Sequence, residues 1–235
     1  MGKIISLYPS IHCLRQHSGR AERFAMHKSV YTVTENTQLT HVVICTPSST
    51  HKNIHISFIL ETNATARVEL LVAHTDAVIT IECVLRGEAS RIIVNGAYLL
   101  HELNNVSITT LQHHEAAHTT SRLVMKGIVD GAAHVQYAGM IRVEKAARCS
   151  DALQENKNIL LSNQARAVSV PSLEVLTNDV HCFHGSTLGR FDQDHLFYAA
   201  SRGIDEMQAR RLLVHAFFGT MFENKKIKML LGELV

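Results

Sequence analysis

A short break recurs about every 15 residues through the middle of the chain, and this spacing constrains the fold more than any other feature. Each break is a short polar-plus-small pair, and most of the segments between breaks are of strand length and rich in valine and isoleucine. The breaks are Asn63-Ala64, Asp76-Ala77, Glu88-Ala89, Asn104-Asn105, Glu115-Ala116, Gly131-Ala132, Lys145-Ala146, Gln164-Ala165 and Asp179-Val180. A recurring break of this kind indicates a repeat architecture.

The segments between the breaks predict β-strands. Several of them alternate apolar and polar residues, as half-buried strands do. The predicted strands are 53–60, 66–72, 77–85, 90–100, 138–146 and 172–180. There is almost no helical periodicity between residues 40 and 190, so an all-β domain is expected there.

A β-solenoid explains the repeat better than a sandwich or a propeller. A sandwich needs turn signals every 8–12 residues and hairpin loops such as Asn-Gly. The only Asn-Gly in the chain, Asn95-Gly96, lies inside a strand-like segment. A propeller needs a longer blade repeat with its own markers. A solenoid stacks short strands into parallel sheets and places small residues at its corners, which favours a β-helix.

The pattern changes after Gly189, where the sequence predicts two helices up to about residue 222. Asp192 is a candidate N-cap for the first helix, and Gly203 is placed to end it. Asp205 with Gln208 resembles a capping box for the second. We therefore divide the chain into an unassigned segment at 1–40, a β-helix core at 41–190 and a helical segment at 191–235.

The second predicted helix is rich in apolar residues. An apolar stripe with helical spacing is formed by Leu212, Leu213, Ala216 and Phe217. Further apolar residues lie on its other faces: Val214, Phe218, Met221 and Phe222. Such a helix is either buried in its own domain or contacts a partner.

Charge and composition exclude several classes of partner. The chain carries 23 basic and 21 acidic residues, and the basic residues are scattered rather than clustered. A nucleic-acid-binding protein shows a basic patch or stripe. No uninterrupted apolar run approaches the ~18 residues that a membrane-spanning helix needs. We therefore expect neither nucleic acid nor a membrane as a partner.

Cysteine usage predicts a reducing, cytoplasmic setting. Five cysteines, at positions 13, 45, 83, 149 and 182, form no C-x-x-C pair. Their odd number argues against the disulfide framework of a secreted domain. The 16 histidines keep a metal site under consideration, because neutral imidazole is a common ligand.

The string HEAAH, His114 to His118, matches the zinc-peptidase motif H-E-x-x-H. That motif works on a helix, where both imidazoles reach one zinc ion. The flanking residues are rich in Val, Ile and Thr, and on a strand the two histidines would lie about 13 Å apart. The string also coincides with one of the recurrent breaks. We interpret it as polar residues at a solenoid corner, with a metal-dependent enzyme using His114 and His118 as the alternative.

The segment from Asn178 to Arg190, NDVHCFHGSTLGR, is the strongest candidate site. On a strand, Cys182 and His184 share one face, with Cβ atoms roughly 6.6 Å apart. A thiolate with an imidazole suits iron–sulfur chemistry, zinc or copper, although two ligands leave a four-coordinate site incomplete. The alternative is a buried cysteine that acts as a small hydrophobic residue beside an ordinary polar histidine.

The residues from Leu153 to Phe217 resemble the SufB/SufD family of iron–sulfur cluster assembly proteins. The resemblance rests on an ordered series of segments, LLSNQARA, PSLEV, CFHGSTLG and LFYAASRGI. It continues more weakly through HTTSRLVMKGIVDG and GMIRVEKAARCSDALQENKN towards residue 40. Gly185 after His184 is similar to the SufD branch, whose members usually also carry an N-terminal helical domain that the first 40 residues cannot contain.

The resemblance implies a right-handed parallel β-helix with short C-terminal helices, acting as a scaffold subunit rather than an enzyme. It implies pairing with a SufB-like subunit through the β-helix and docking of a SufC-like ATPase on the helices, for which Leu213, Phe217 and Phe218 are candidates. It also implies a transient iron–sulfur cluster shared with the partner at His184, with Cys182 as a weaker second ligand.

Three alternatives stay open at this stage. The chain could pair with itself as a homodimer, because an exposed terminal β-helix strand could serve either partner. It could be a purely structural subunit that binds its partners and ligates no cluster. The resemblance to flavin-binding complexes of this family also raises a flavin at the level of the assembled complex. The sequence contains no P-loop motif of its own, G-x-x-x-x-G-K-[ST].

Overall fold

Twelve β-strands and three helices make up the part of the chain described by the computed structural model, residues 26–190, 193–219 and 221–234. The strands are β1 (His27–Val33), β2 (Gln38–Cys45), β3 (Asn53–Leu60), β4 (Thr65–Ala73), β5 (Ala77–Leu85), β6 (Arg91–Leu100), β7 (Asn105–His114), β8 (Thr120–Val129), β9 (His134–Val143), β10 (Ser150–Leu160), β11 (Arg166–Val175) and β12 (Val180–Arg190). The helices are α1 (Gln193–Ser201), α2 (Glu206–Phe218) and α3 (Lys225–Leu234).

The strands form two parallel six-stranded sheets. The odd-numbered strands form one sheet in the order β1-β3-β5-β7-β9-β11, and the even-numbered strands form the other, from β2 to β12. Each coil of the chain therefore adds one strand to each sheet and pairs with the coil before it. This is a parallel β-solenoid of six coils, which confirms the predicted fold class.

The corners of the solenoid lie at the predicted breaks. All nine breaks fall between two strands or at the first residue of a strand. At one corner of successive coils the chain passes through the left-handed region, at Asn36, Asn63, Ala89, His118 and Cys149. Their backbone N–H groups bond to the neighbouring coil, as when Asn63 N donates to Glu88 O at 2.9 Å. The corner hydrogen bonds thus continue the pairing of the strands between one coil and the next.

Alternate side chains on every strand point into the space between the sheets. In the first coils these inner positions are aliphatic or aromatic and fully buried, among them Phe58, Leu60, Ile79 and Ile81. Each such side chain contributes about 1.5–3 kcal/mol by leaving water. The polar residues of the same strands lie on the outer faces, which explains the alternation seen in the sequence.

Gly127 is required by close packing inside the solenoid. It lies opposite Tyr98 on the neighbouring strand, and a Cβ atom at position 127 would come within 1.8 Å of the Tyr98 ring. The space allows the Tyr98 hydroxyl to reach Asn156 and Asn158, two coils further along.

Some strands differ from the sequence prediction. Strands 53–60 and 77–85 match β3 and β5, whereas the predicted 138–146 and 172–180 begin several residues later than β9 and β11. The β11 strand contains Pro171 and pairs only with β9, and an outermost strand tolerates a proline that lacks the ladder N–H. The first described strand begins at His27, so β1 and β2 include residues before 41, where no strand was predicted.

The C-terminal helices match the sequence prediction at their caps. The Asp205 carboxylate accepts from Gln208 N at 2.8 Å, which confirms the N-cap of α2. Gly203 adopts a φ of +78° just after α1 ends, as predicted for a helix terminator. The predicted cap Asp192 lies outside the described residues, and α3 was not predicted. None of the described helices has the length and apolar character to span a bilayer.

Helices α2 and α3 pack on the outer face of the even-numbered sheet. Val214 and Phe218 of α2 contact a cluster that includes Leu71, Leu99 and Ile128 on the strands. The predicted stripe is not the buried face, because Leu212 is 56% exposed. The helix carries apolar residues on neighbouring faces, so its periodicity alone could not show which one meets the sheet.

Three outward polar side chains on successive coils hold the segment that joins α2 to α3. Lys126 donates to the backbone oxygen of Phe217, and Asn95 donates to that of Met221 at 2.7 Å. Glu69 is 1% exposed and accepts from the backbone N–H groups just before α3. We call Glu69, Asn95 and Lys126 the helix clasp.

Candidate functional site

The terminal coil, made of β11 and β12, forms one end of the solenoid. The β12 strand pairs with β10 along one edge only, and β11 pairs with β9 along one edge only. Their other edges have no strand partner in the described part of the chain. An unpaired parallel edge is a template for strand addition from another chain.

The alternation of β12 places the predicted pair on one face. Cys182 and His184 are half-buried, whereas His181 and Phe183 are exposed on the opposite face. His184 lies beside Gln154 and Cys182 beside Ala152, and both neighbours point into the solenoid. The shared face predicted from the sequence is therefore the inner face, at the open end of the core.

His184 has an imidazole nitrogen without a hydrogen-bond partner. Its Nδ1 atom is buried and bonds to no group of the described chain. Neighbouring inner positions add the Oε1 atom of Gln154 and the hydroxyl of Ser169, which also have no hydrogen-bond partner there. Buried polar atoms in native proteins are nearly always paired with protein or water, so these positions are candidates for binding water or a group of a second chain.

Cys182 is a less suitable ligand than His184. Like Val175 and Val180, it packs against an apolar cluster formed by Ile141, Val143, Ala147 and Ala152. Burial, with a smaller contribution from the Asp151 carboxylate, raises the pKa of the Cys182 thiol. Because metals and clusters bind the thiolate, the isolated chain favours the protonated, non-ligating form.

The HEAAH string lies at a solenoid corner, as predicted. His114 ends β7 and is fully buried, while His118 is exposed at the corner with a φ of +60°. Both ring nitrogens of His114 are occupied, Nδ1 by the Thr119 hydroxyl at 2.7 Å and Nε2 by the Ser121 hydroxyl at 2.8 Å. Glu115 lies 3.6 Å from the Arg86 guanidinium. These residues therefore form hydrogen bonds and an ion pair at the corner and do not form a zinc-peptidase site.

A polar core inside the later coils was missed by the sequence reasoning. Gln112 donates to Ser121 at 2.6 Å, and Tyr137 bonds Thr110 at 2.9 Å. The available signal was the alternation itself, since the inner positions of β7 and β10 carry Thr, Gln, His and Asn where earlier strands carry Ile and Leu. The buried polar groups continue towards the end at which His184 lies.

Within the described ranges, no three His, Cys, Asp or Glu side chains come close enough together to hold a metal ion. Cys45, Cys83, Cys149 and Cys182 are all free thiols there, and Cys13 lies outside the description. A metal or cluster at His184 and Cys182 would therefore need ligands from beyond the described ranges or from a second chain.

The three residues predicted to bind a partner have different environments. Phe218 is 4% exposed and belongs to the core between helix and sheet. Phe217 packs against the same core, with the Lys126 ammonium 5.2 Å from its ring centroid. Leu213 is half-buried. The largely exposed apolar side chains of α1 and α2 are instead Phe197, Tyr198, Met207 and Leu212.

The fold and the terminal coil define a class of protein: a parallel β-solenoid with unpaired terminal strands and a helical unit on one sheet. The model of the family described as SUF system FeS cluster assembly, SufBD core domain, matches residues 9–217. The chain belongs to this family, as the resemblance implied.

Individual relatives are similar over part of their length. An iron–sulfur cluster assembly SufBD family protein of Mycobacterium leprae is 34% identical over 148 residues, which cover 60% of this chain and 38% of the relative. A SufBD family protein of Synechocystis is 35% identical over 50% of this chain and 26% of the relative. The assembly protein SufD of Escherichia coli is 31% identical over 59% of this chain and 33% of its own length. The matches therefore span less than two fifths of these relatives.

Proposed function

We propose that this chain is a SufD-like scaffold subunit of a cytoplasmic iron–sulfur cluster assembly complex and has no turnover chemistry of its own. In this proposal the terminal coil pairs with a SufB-like subunit, and the C-terminal helices dock a SufC-like ATPase. The observation that carries it is the unpaired terminal coil, with the partnerless Nδ1 of His184 at its inner face.

His184 would contact the growing cluster, which is the cargo of the complex. An imidazole nitrogen that is buried and unbonded within its own chain is available to iron without first breaking a hydrogen bond. Cys182 would be a secondary ligand, because its raised pKa has to be overcome before it binds as a thiolate. The SufB-like subunit would supply the remaining ligands, and any flavin would belong to the assembled complex.

The helical unit offers an apolar surface for the ATPase. Phe197 is 77% exposed, and Tyr198 and Leu212 are also exposed. Exposed aromatic and aliphatic side chains of this kind often mark protein interfaces. Phe218 would act indirectly, by holding α2 on the sheet, while half-buried Leu213 can contact a partner at its exposed part.

The test is to co-express the chain with SufB-like and SufC-like proteins of its host and to measure the stoichiometry of the purified complex and its cluster content. We expect H184A to assemble normally and to reduce the cluster yield by about tenfold, the effect of losing about 1.4 kcal/mol of binding. The matched control is H181A, because His181 lies on the same strand with its side chain exposed on the other face.

Each outcome separates the competing functions. A complex that forms normally but yields clusters equally well with H184A and wild type would support a purely structural subunit. A chain that forms only homodimers, and captures neither partner, would contradict the scaffold proposal.

A further inference from the structure

A cleft lies between one corner of the solenoid and the first half of α2, away from the terminal coil. It is lined by residues at the ends of β4, β6, β8 and β10 and by Glu206, Met207, Arg210, Arg211 and Val214 of α2. We call it the corner cleft. Its volume of about 590 Å³ is within the range of pockets that bind small molecules.

The floor of the corner cleft is apolar. Leu99 and Ile128 on the outer face of the sheet are each 5% exposed, and Val214 of α2 is also 5% exposed. The clasp anchors the end of α2 and the segment beyond it, through Lys126 and Asn95, while residues of the first half of α2 line the opening. The floor is thus an apolar surface suited to covering one face of a flat ring.

Two imidazoles in contact form one wall. His74 and His101 occupy the same corner on successive coils, with ring centroids 4.2 Å apart and an angle of 37° between the rings. Their Nδ1 atoms are buried and have no hydrogen-bond partner in the described chain. The Glu102 carboxylate is 3.9 Å from the Nδ1 atom of His101, which is too far for a hydrogen bond. Burial, and to a smaller extent the neighbouring His101, lowers the pKa of His74, so this imidazole is neutral near pH 7. A neutral ring stacks on aromatic ligands and offers a nitrogen to a polar ring atom.

One cation on the rim is free to bind an anion. Arg210 is held by the Glu206 carboxylate through two hydrogen bonds of 3.0 and 2.7 Å. Arg211 has no ion pair in the described chain, and a guanidinium pairs well with a carboxylate, sulfonate or phosphate. Asp130 at the end of β8 accepts hydrogen bonds, which suits a ligand with a ring N–H or amino group.

We propose that the corner cleft binds a small molecule that combines a flat aromatic ring with an anionic group. The ring lies on the apolar floor beside His74 and His101, and the anion pairs with Arg211. This site is separate from the terminal coil and does not depend on the scaffold function.

The first step of the test compares two dyes with the same rings. Anilinonaphthalene sulfonate carries an anion, and phenylnaphthylamine lacks it. We expect wild-type protein to bind both with a fluorescence increase. In R211E the dissociation constant of the anionic dye, divided by that of the neutral dye, should rise at least fivefold. The charge reversal affects the binding of the anionic dye only. R166E makes the same charge change on β11 and should leave the ratio unchanged.

The second step locates the dye. The chain contains no tryptophan, so M207W provides a single reporter on the cleft and V168W provides one on the odd-numbered sheet. We expect the dye to quench the emission of M207W strongly and that of V168W much less. Equal quenching in the two variants, an unchanged ratio in R211E, or no binding of either dye to wild type would overturn the proposal. Both reporters are substitutions of exposed side chains and should leave the fold intact.

Discussion

At the scale of single residues, His114 shows how one buried imidazole links the stability of the solenoid to pH. Burial is the main cause that lowers its pKa from 6.5 to about 4, with a smaller contribution from His113. The unfolded chain therefore takes up a proton at a higher pH than the folded chain. The contribution of His114 is fully present above pH 6.5 and is lost as the pH falls towards 4, which amounts to about 3 kcal/mol.

We predict that H114N lowers the free energy of unfolding at pH 7, because it removes the bonds to Thr119 and Ser121. Between pH 7 and pH 4.5 the variant should then lose less stability than wild type. Urea unfolding at the two pH values measures the difference. H118N is the matched control, since His118 is exposed at the same corner. Parallel losses in wild type and H114N would contradict the assignment.

His114 also shows what sequence reasoning can reach at this scale. The β-branched flanks and the coincidence with a break were enough to predict a corner instead of a zinc-binding helix. The hydroxyl partners could not be predicted, because Ser121 and Thr119 reach the ring only after the chain has turned the corner between β7 and β8. The same holds for His184. Its shared face with Cys182 followed from alternation, whereas the lack of a hydrogen-bond partner for its Nδ1 atom is visible only once the neighbouring coils are in place.

At the scale of elements, the helix clasp determines where α3 lies, and Glu69 is its central residue. Both carboxylate oxygens accept backbone N–H groups, from Glu223 at 2.7 Å and from Asn224 at 2.9 Å, directly before α3. A negative charge at a helix N-terminus is favourable, and bonds to a charged acceptor contribute about 1.5–3 kcal/mol each. We predict that E69A increases hydrogen exchange of the α3 amides by tenfold to a hundredfold, as mass spectrometry can measure, while β6 and β8 stay protected.

The control for the clasp is the ion pair beside it. Arg67 lies 3.1 Å from the Glu223 carboxylate, whose side chain is 70% exposed. Exposed pairs of this kind contribute about 0–1 kcal/mol, so R67A should change exchange in α3 only slightly. If R67A and E69A had the same effect, general surface charge rather than the buried carboxylate would hold the helix.

The start of α2 could be predicted from the sequence, whereas the way in which the helices pack on the sheet could not. The cap at Asp205 is a local signal, and it gave the start of α2 correctly. The buried face of α2 and the presence of α3 depend on Glu69, Asn95 and Lys126, which are far away in the sequence and come together only through the coil register. Local periodicity contains no information about such contacts.

At the scale of the whole molecule, the solenoid was predictable because its structural repeat appears as a regular spacing in the sequence. Breaks at regular spacing fix the corners, and alternation fixes which side chains face inward. The first described coil was missed because inner positions of β1, such as His27 and Ser29, do not stand out as core. The ends of a solenoid are atypical coils, and function is proposed here at one of them.

The two ends of the molecule provide a matched pair of substitutions that tests how it assembles. Val170 on β11 and Val30 on β1 are each 55% exposed, and these two strands are the outermost ones of the same sheet among the described residues. Lysine on an edge strand opposes strand pairing with another chain, through its charge and its flexible side chain. We predict that V170K weakens binding to a SufB-like subunit by at least tenfold in a titration by calorimetry, because the terminal coil is the proposed interface.

V30K should leave the affinity for the SufB-like subunit within about twofold of wild type. Both variants should unfold within a few degrees of wild type, because surface substitutions usually change stability by less than about 0.5 kcal/mol. The reverse result, with V30K weakening the complex and V170K neutral, would move the interface to the first coil. It would also separate His184 from the partner that has to complete its ligands, because the first described coil and the terminal coil are five coils apart. Equal weakening by both variants would instead indicate that each end contacts a partner, as in a chain of solenoids joined end to end.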